Sequence, residues 1–215
     1  MVISRKRSPI QPSLSISGNP ICQVNSFCFP GVSLSSDLSW SKHINTTHLK
    51  AKKHLGFIYR QFHSAGRRTI SQLYKSTVLP FLDYCSCVWD PYQVTYVSML
   101  AKIATGHWSV SHDDLCTQLG WPPLSSRRKF QKLSLCHRIL SGCFIISPES
   151  FIPHPSPNLR HSHNLPLYQP PTRTQAHLGS YFPSVVPIWN SLPSDIVTSH
   201  SHLSFKHKPK PYLNL

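Results

Sequence analysis

The chain has 215 residues and carries 22 Lys and Arg against 7 Asp and Glu, a formal charge of +15 before any of its 14 His is protonated. Only 13% of residues are charged, about half the usual share, and 20 Pro and 33 Ser stand in for the missing charges. No run nears the roughly 20 apolar residues of a bilayer crossing, and Met1-Val2-Ile3-Ser4 leads straight into Arg5-Lys6-Arg7 without the apolar core of a secretion signal.

These features predict an intracellular protein, nuclear or cytoplasmic, that does not engage a membrane. Arg5-Lys6-Arg7 is a short basic cluster of the nuclear-signal type. Seven Cys, an odd number in such a chain, are expected as reduced thiols.

From Met1 to about Leu34 the pattern is short and strand-like, with a Gly18-Asn19-Pro20 turn between Leu14, Ile16 and Ile21–Val24 suited to a hairpin. Beyond Asp37 the period lengthens to that of a helix, with Ile44, Ala51, Leu55, Ile58 and Phe62 inward and His48 interrupting the stripe. Asp37 or Ser39 would cap its start and Gly66 its end. A second helix carries Ile70, Leu73, Tyr74, Thr77 and Val78 on one face until Pro80 kinks or ends it.

Ser111 would cap a short segment ending at Gly120, and a further helix is predicted from Ser125 to Ser141, with Leu133, Cys136 and Leu140 inward and Gly142 as its stop. From Pro148 to Pro193 ten prolines fall in 46 residues, which predicts irregular or extended chain. The expected fold class is therefore mainly α with a small N-terminal antiparallel β-hairpin (α+β), and a Pro-rich irregular C-terminal third. Four segments are expected: 1–36 (strands), 37–91 (helical), 92–147 (helical) and 148–215 (irregular, with a terminal basic stretch).

Lys42, Lys50, Lys52, Lys53 and Arg60 lie on or beside the first long helix, Arg67 and Arg68 follow it, and Arg127, Arg128 and Lys129 repeat the pattern later. Acids four residues away, which would make these a salt-bridged solvent face, are missing. A surface of this kind attracts phosphate without reading sequence. Tyr59, Phe62 and Tyr74 interleave with the cations, but their helical period favours core over base stacking.

Cys85 and Cys87, Cys136-His137, and the set His107, His112 and Cys116 lack the paired spacing of a zinc site. Asp113-Asp114 follows Ser111-His112 at a helix start, where acids serve the first turn, and there is no Gly-rich phosphate loop. No metal and no catalytic residue is expected.

Phe29-Pro30-Gly31-Val32 followed by Leu34 to Ile44, with Trp40 and His43 within it, resembles the region just beyond the catalytic palm in reverse transcriptases of LINE-type (non-LTR) retrotransposons. The likeness continues through Lys52-Lys53-x-Leu55-Gly56-x-Ile58-Tyr59-Arg60, Leu73-Tyr74-Lys75-Ser76, Val88-Trp89-Asp90-Pro91 and Trp189-Asn190-Ser191-Leu192-Pro193, and covers nearly the whole chain. It implies that 1–8 are the tail of the palm, that Phe27–Leu34 is the primer-grip hairpin, with Phe29, Gly31 and Val32 at its tip, and that 37–91 form the thumb. The family's paired catalytic aspartates are not in this sequence, so the Mg of the parent RNA-directed DNA polymerase would have no ligands. Pro30 stands where the family has Leu and would remove a ladder donor, about two helical turns are missing between Leu100 and Ala101, and Pro209 would break a terminal basic helix.

The resulting expectation is a catalytically inactive reverse transcriptase fragment that binds RNA or DNA without sequence preference. Its expected protein partner is a full-length reverse transcriptase, and no small-molecule substrate or cofactor is expected. The alternatives are a host-recruited nucleic-acid-binding module and a translated relic without function.

Overall fold

In a computed structural model, residues 1–4, 6, 10, 12–62, 64–90, 122–143, 163, 165–169 and 171–213 are described. They are mainly helical with a small β part, as the periodicities require. The chain divides into two compact units, Met1–Leu82 and Asp83–Leu215. Asp83–Trp89, thumb-like by sequence, thus belong to the second.

In the first unit β1 (Ser15–Ile16) pairs antiparallel with β2 (Asn19–Pro20). The turn falls one residue before the expected position, on Ser17 (φ 50°) and Gly18 (φ 79°), the double left-handed geometry of a tight hairpin. A second hairpin pairs β3 (Ser26–Phe29) with β4 (Val32–Ser35), closing on Phe29 and Val32. Pro30 and Gly31 are its two turn residues, with Gly31 at φ 80°, the sequence a type II corner demands. The expected loss of a ladder bond at Pro30 therefore does not occur, because Pro30 stands outside the ladder.

Asp37 Oδ1 accepts a hydrogen bond from the Ser39 backbone N at 2.9 Å, and the first helical bond runs from Ile44 N to Trp40 O at 2.8 Å. The Asp37 cap thus precedes α1 (Ser41–Phe62) instead of sitting on it. Burial follows His43, Thr47, Ala51, Leu55 and Ile58, so in the first two turns the inward positions are His43 and Thr47, not Ile44 and His48. Polar residues serve there because β4 needs a partner: the outward N–H of Ser33 donates to His43 Nδ1 at 3.3 Å, and Thr47 Oγ1 lies 3.5 Å from His43 Nε2.

Gly66 does not take positive φ. At φ −61°, ψ 152° it is extended and opens α2 (Arg67–Leu73). That helix continues through a π-helical turn, Tyr74–Val78, into α3 (Leu79–Asp83). Leu79 N bonds to Tyr74 O five residues back, and Thr77 Oγ1 donates to Leu73 O at 2.7 Å. Pro80 does not end the helix, which runs on through the wide turn immediately before it. Among the described residues, Val32, Ala51, Leu55, Ile58, Val78 and Leu82 are the buried apolar residues of this unit.

In the second unit α4 (Ser86–Trp89) follows Cys85, which is left-handed at φ 52°. The helix α5 (Leu124–Leu140) matches its prediction within one residue at each end. It stops as expected at Gly142 (φ 69°), where Cys143 N bonds Arg138 O and Gly142 N bonds Ile139 O, the paired closure of a Schellman motif.

The Pro-rich stretch is the main correction to the fold. Extended chain over 165–169 and 171–173 gives way to α6 (Gln175–Leu178) and α7 (Tyr181–Asn190), followed by α8 (Ser194–Val197), α9 (His202–His207) and α10 (Pro209–Tyr212). Pro183 is the third residue of α7, where an N–H has no helical partner to lose. Pro187 does remove a bond, the one to Pro183 O, and Gln169 Nε2 approaches that carbonyl at 3.5 Å. The basic helix breaks before Pro209 as expected, but Pro209 is buried and starts a new turn. Leu133 and Cys136 of α5 pack with Val185 and Trp189 of α7 and with Phe205 of α9, so the largest core lies where irregular chain was expected.

Candidate nucleic-acid interface

Charge is unevenly divided between the units. Met1–Leu82 hold eleven Lys and Arg against a single acid, Asp37. In α1, Lys42, Lys50, Lys52, Lys53 and Arg60 are all exposed, and the helix contains no acid. At 100° per residue Lys42, Lys53 and Arg60 fall within about 20° of one another, opposite the buried stripe, with Lys50 and Lys52 on its flanks. Lys42 Nζ donates to Ser26 Oγ at 2.6 Å, which ties this end of the face to β3. Arg68 is exposed on α2, and the Arg67 side chain lies outside the described residues.

The hairpin tip divides its three candidates. Phe29 is 63% exposed and Gly31 is exposed at the turn, while Val32 is buried. Phe27, opposite Leu34 and on the same face as Phe29, is exposed as well.

The later basic cluster is built differently, and two of its three residues are removed as phosphate ligands. Arg127 Nε donates to Asp83 Oδ2 at 2.9 Å. Arg128 is buried, with Nε 3.3 Å from Asp90 Oδ1, and Lys132 Nζ is 2.6 Å from Asp90 Oδ2. Lys132 Nζ also donates to Ser184 Oγ at 2.9 Å. Burial lowers the pKa of Arg128, and the charges of Asp90 and Asp83 oppose the shift. Tyr181 Oη donates to Lys132 O at 3.1 Å, and burial raises its phenol well above the ordinary value. Only Lys129 is left exposed for an outside ligand. Lys132, not marked by sequence, is the second cation on Asp90.

Among the described residues the thiols and imidazoles do not converge on a ligand set. Cys85 is exposed, Cys87 is half-buried with burial pushing its thiol up to about 11, and Cys136 is in the core, pushed up to about 12 by the same cause. His137 Nε2 faces Ser199 O at 3.1 Å. No group of three or more His, Cys, Asp or Glu that could hold a metal occurs among the described residues, and no described helix is long and apolar enough to cross a membrane. The Ser111–Gly120 segment, His107, His112, Cys116, Asp113-Asp114 and the Leu100–Ala101 junction lie outside the described residues.

One aromatic was misplaced by its period. Tyr59 is 77% exposed, whereas Phe62 and Tyr74 are half-buried. A helix wheel puts Tyr59 beside Lys52 on the edge of the basic face, about 100° from the centre of the buried stripe, and that offset was the available signal. Comparisons with protein-family models, with curated proteins and with solved structures find no match.

Proposed function

We infer that the chain binds RNA or DNA through the phosphate backbone, using the outward face of α1, and that it is the post-palm part of a LINE-type reverse transcriptase without polymerase chemistry of its own. The observation that carries this reading is the acid-free row Lys42, Lys53 and Arg60 flanked by Lys50 and Lys52, in a unit where eleven cations face one acid. Ordinary solvated helices offset such cations at i±4. The resemblance around Lys52–Arg60 supports the parentage, and no aromatic-x-Asp-Asp box occurs in the sequence to hold catalytic Mg. The exposed Leu14, Ile16, Phe27 and Phe29 suit association with a full-length polymerase.

The relic alternative loses one support, since Pro30 fits its turn. The test is fluorescence anisotropy of the purified full chain with labelled oligonucleotides of unrelated sequence, after a thermal melt establishes that it folds. Affinity should fall linearly in log–log with salt, at about 0.7 to 0.9 per phosphate neutralised. Replacing Lys50, Lys52 and Lys53 with Gln should weaken binding evenly across sequences and reduce the slope by about 1 each. Unchanged affinity in the triple variant overturns the reading.

A further inference from the structure

Gly56 lies well inside α1, where glycine is the least favourable residue other than proline. Nothing in the fold asks for it. Its φ is not positive, and a Cβ added there would meet only Arg60 Nη1, at 3.3 Å, the far end of a flexible side chain. What remains is the other use of glycine, close approach of a ligand to the backbone.

The four positions that surround residue 56 on the helix surface, one turn to either side, are Lys52, Lys53, Tyr59 and Arg60. All four are exposed, and Tyr59 is 77% exposed. Three cations and one ring thus border a turn without a side chain, and the Arg60 guanidinium that lies over it is the end of a flexible side chain, which would swing aside onto a phosphate when a base enters. Phosphates alone would explain the cations but not the ring or the bare turn. A base face would explain both, since stacking on an aromatic side chain needs an open surface and an unpaired base.

We propose that this turn receives a single unpaired nucleotide, with its base on the Tyr59 ring over Gly56 and its flanking phosphates on Lys52, Lys53 and Arg60, so that the chain prefers single strands to closed duplex. The proposal rests on the nucleic-acid reading above and narrows it to a substrate class.

The experiment compares a labelled single-stranded oligonucleotide with the blunt duplex of the same sequence, by anisotropy at fixed salt, for the wild-type chain, Tyr59→Ala, Tyr59→Phe and Gly56→Leu. Tyr59 is mostly exposed and leucine is a strong helix former, so neither change should lower the melting temperature. Tyr59→Ala and Gly56→Leu should lose about tenfold in single-strand affinity, with duplex affinity within twofold, while Tyr59→Phe binds as wild type. Single-strand affinity unchanged in Tyr59→Ala and Gly56→Leu overturns the proposal and leaves the nucleic-acid reading standing, and so does an equal loss on both probes. A wild-type chain that binds neither probe overturns both.

Discussion

The side-chain amide of Asn190 closes a two-bond ring on the backbone of Leu167: Oδ1 accepts from Leu167 N at 2.9 Å and Nδ2 donates to Leu167 O at 2.8 Å. The amide does for this extended segment what a neighbouring strand would do. Trp189 Nε1 adds a bond to Leu165 O at 3.0 Å, and His163 Nε2 lies 3.1 Å from Trp189 O. The Trp189-Asn190 pair therefore pins a Pro-rich segment that has no sheet of its own.

Asn190→Ala should destabilise the second unit by about 2–3 kcal/mol, because it removes two hydrogen bonds and leaves a part-buried donor and acceptor at Leu167 unmatched. A thermal melt followed by Trp fluorescence reads this directly. Asn190→Asp keeps the acceptor and loses the donor, so its melting temperature should also fall.

Asp90 is the counter-charge of two buried cations, Arg128 and Lys132. Asp90→Asn should lower stability by about 3–5 kcal/mol, the usual consequence of leaving buried charge uncompensated. Arg127→Gln leaves the Asp83 carboxylate, 13% exposed, without its guanidinium, so the denaturant midpoint should fall as well, by about 2 kcal/mol. Because Arg127 is already paired, its loss should leave the salt dependence of nucleic-acid binding unmoved.

Burial, with Lys50 second, lowers the pKa of His43 below 6.5, and its Nδ1 must stay unprotonated to accept from Ser33. The unfolded chain takes up this proton as pH falls past about 6.5 while the folded chain resists, so stability is full above that pH and declines below it. His48 and His202 are shifted downward too, chiefly by burial, and act with the same sign. Melting temperature against pH should therefore drop on the acid side of 6.5, and His43→Gln should flatten the drop. A melting temperature constant from pH 7.5 to 5.5 would contradict the assignment.

Gly142 at φ 69° is required by backbone geometry. Gly142→Ala should cost about 1 kcal/mol, since alanine pays for the left-handed conformation that closes α5. The same substitution at Gly66, which is extended, should be nearly neutral, and the two melts side by side separate the roles.

What the sequence disclosed depended on the range of the interaction. The Schellman stop at Gly142 and the inward set Ala51, Leu55 and Ile58 are local, and periodicity and turn chemistry revealed them. Arg127 and Arg128 misled because the acids that hold them, Asp83 and Asp90, are 44 and 38 residues away, beyond any i±4 pattern. The helix α7 was hidden by a count of prolines, although position decides their effect: Pro183 lies in a first turn, and Gln169 faces the carbonyl freed by Pro187. In the candidate site the cations of α1 were legible from composition and spacing, whereas the exposure of Tyr59 lay at the edge of what a helical period resolves.

The π-helical turn at Tyr74–Val78 closes a ring one residue larger than an α-helical turn. The chain is therefore one residue longer there than a regular helix would need, and that spare residue is a reserve of length. Loss of a single residue within 74–78 would leave an ordinary helical turn running directly into Pro80, with the proline ring set against an α-helical carbonyl. Insertions and deletions at this point would thus be felt as a change in helix caliber ahead of Pro80 before any loss of helix.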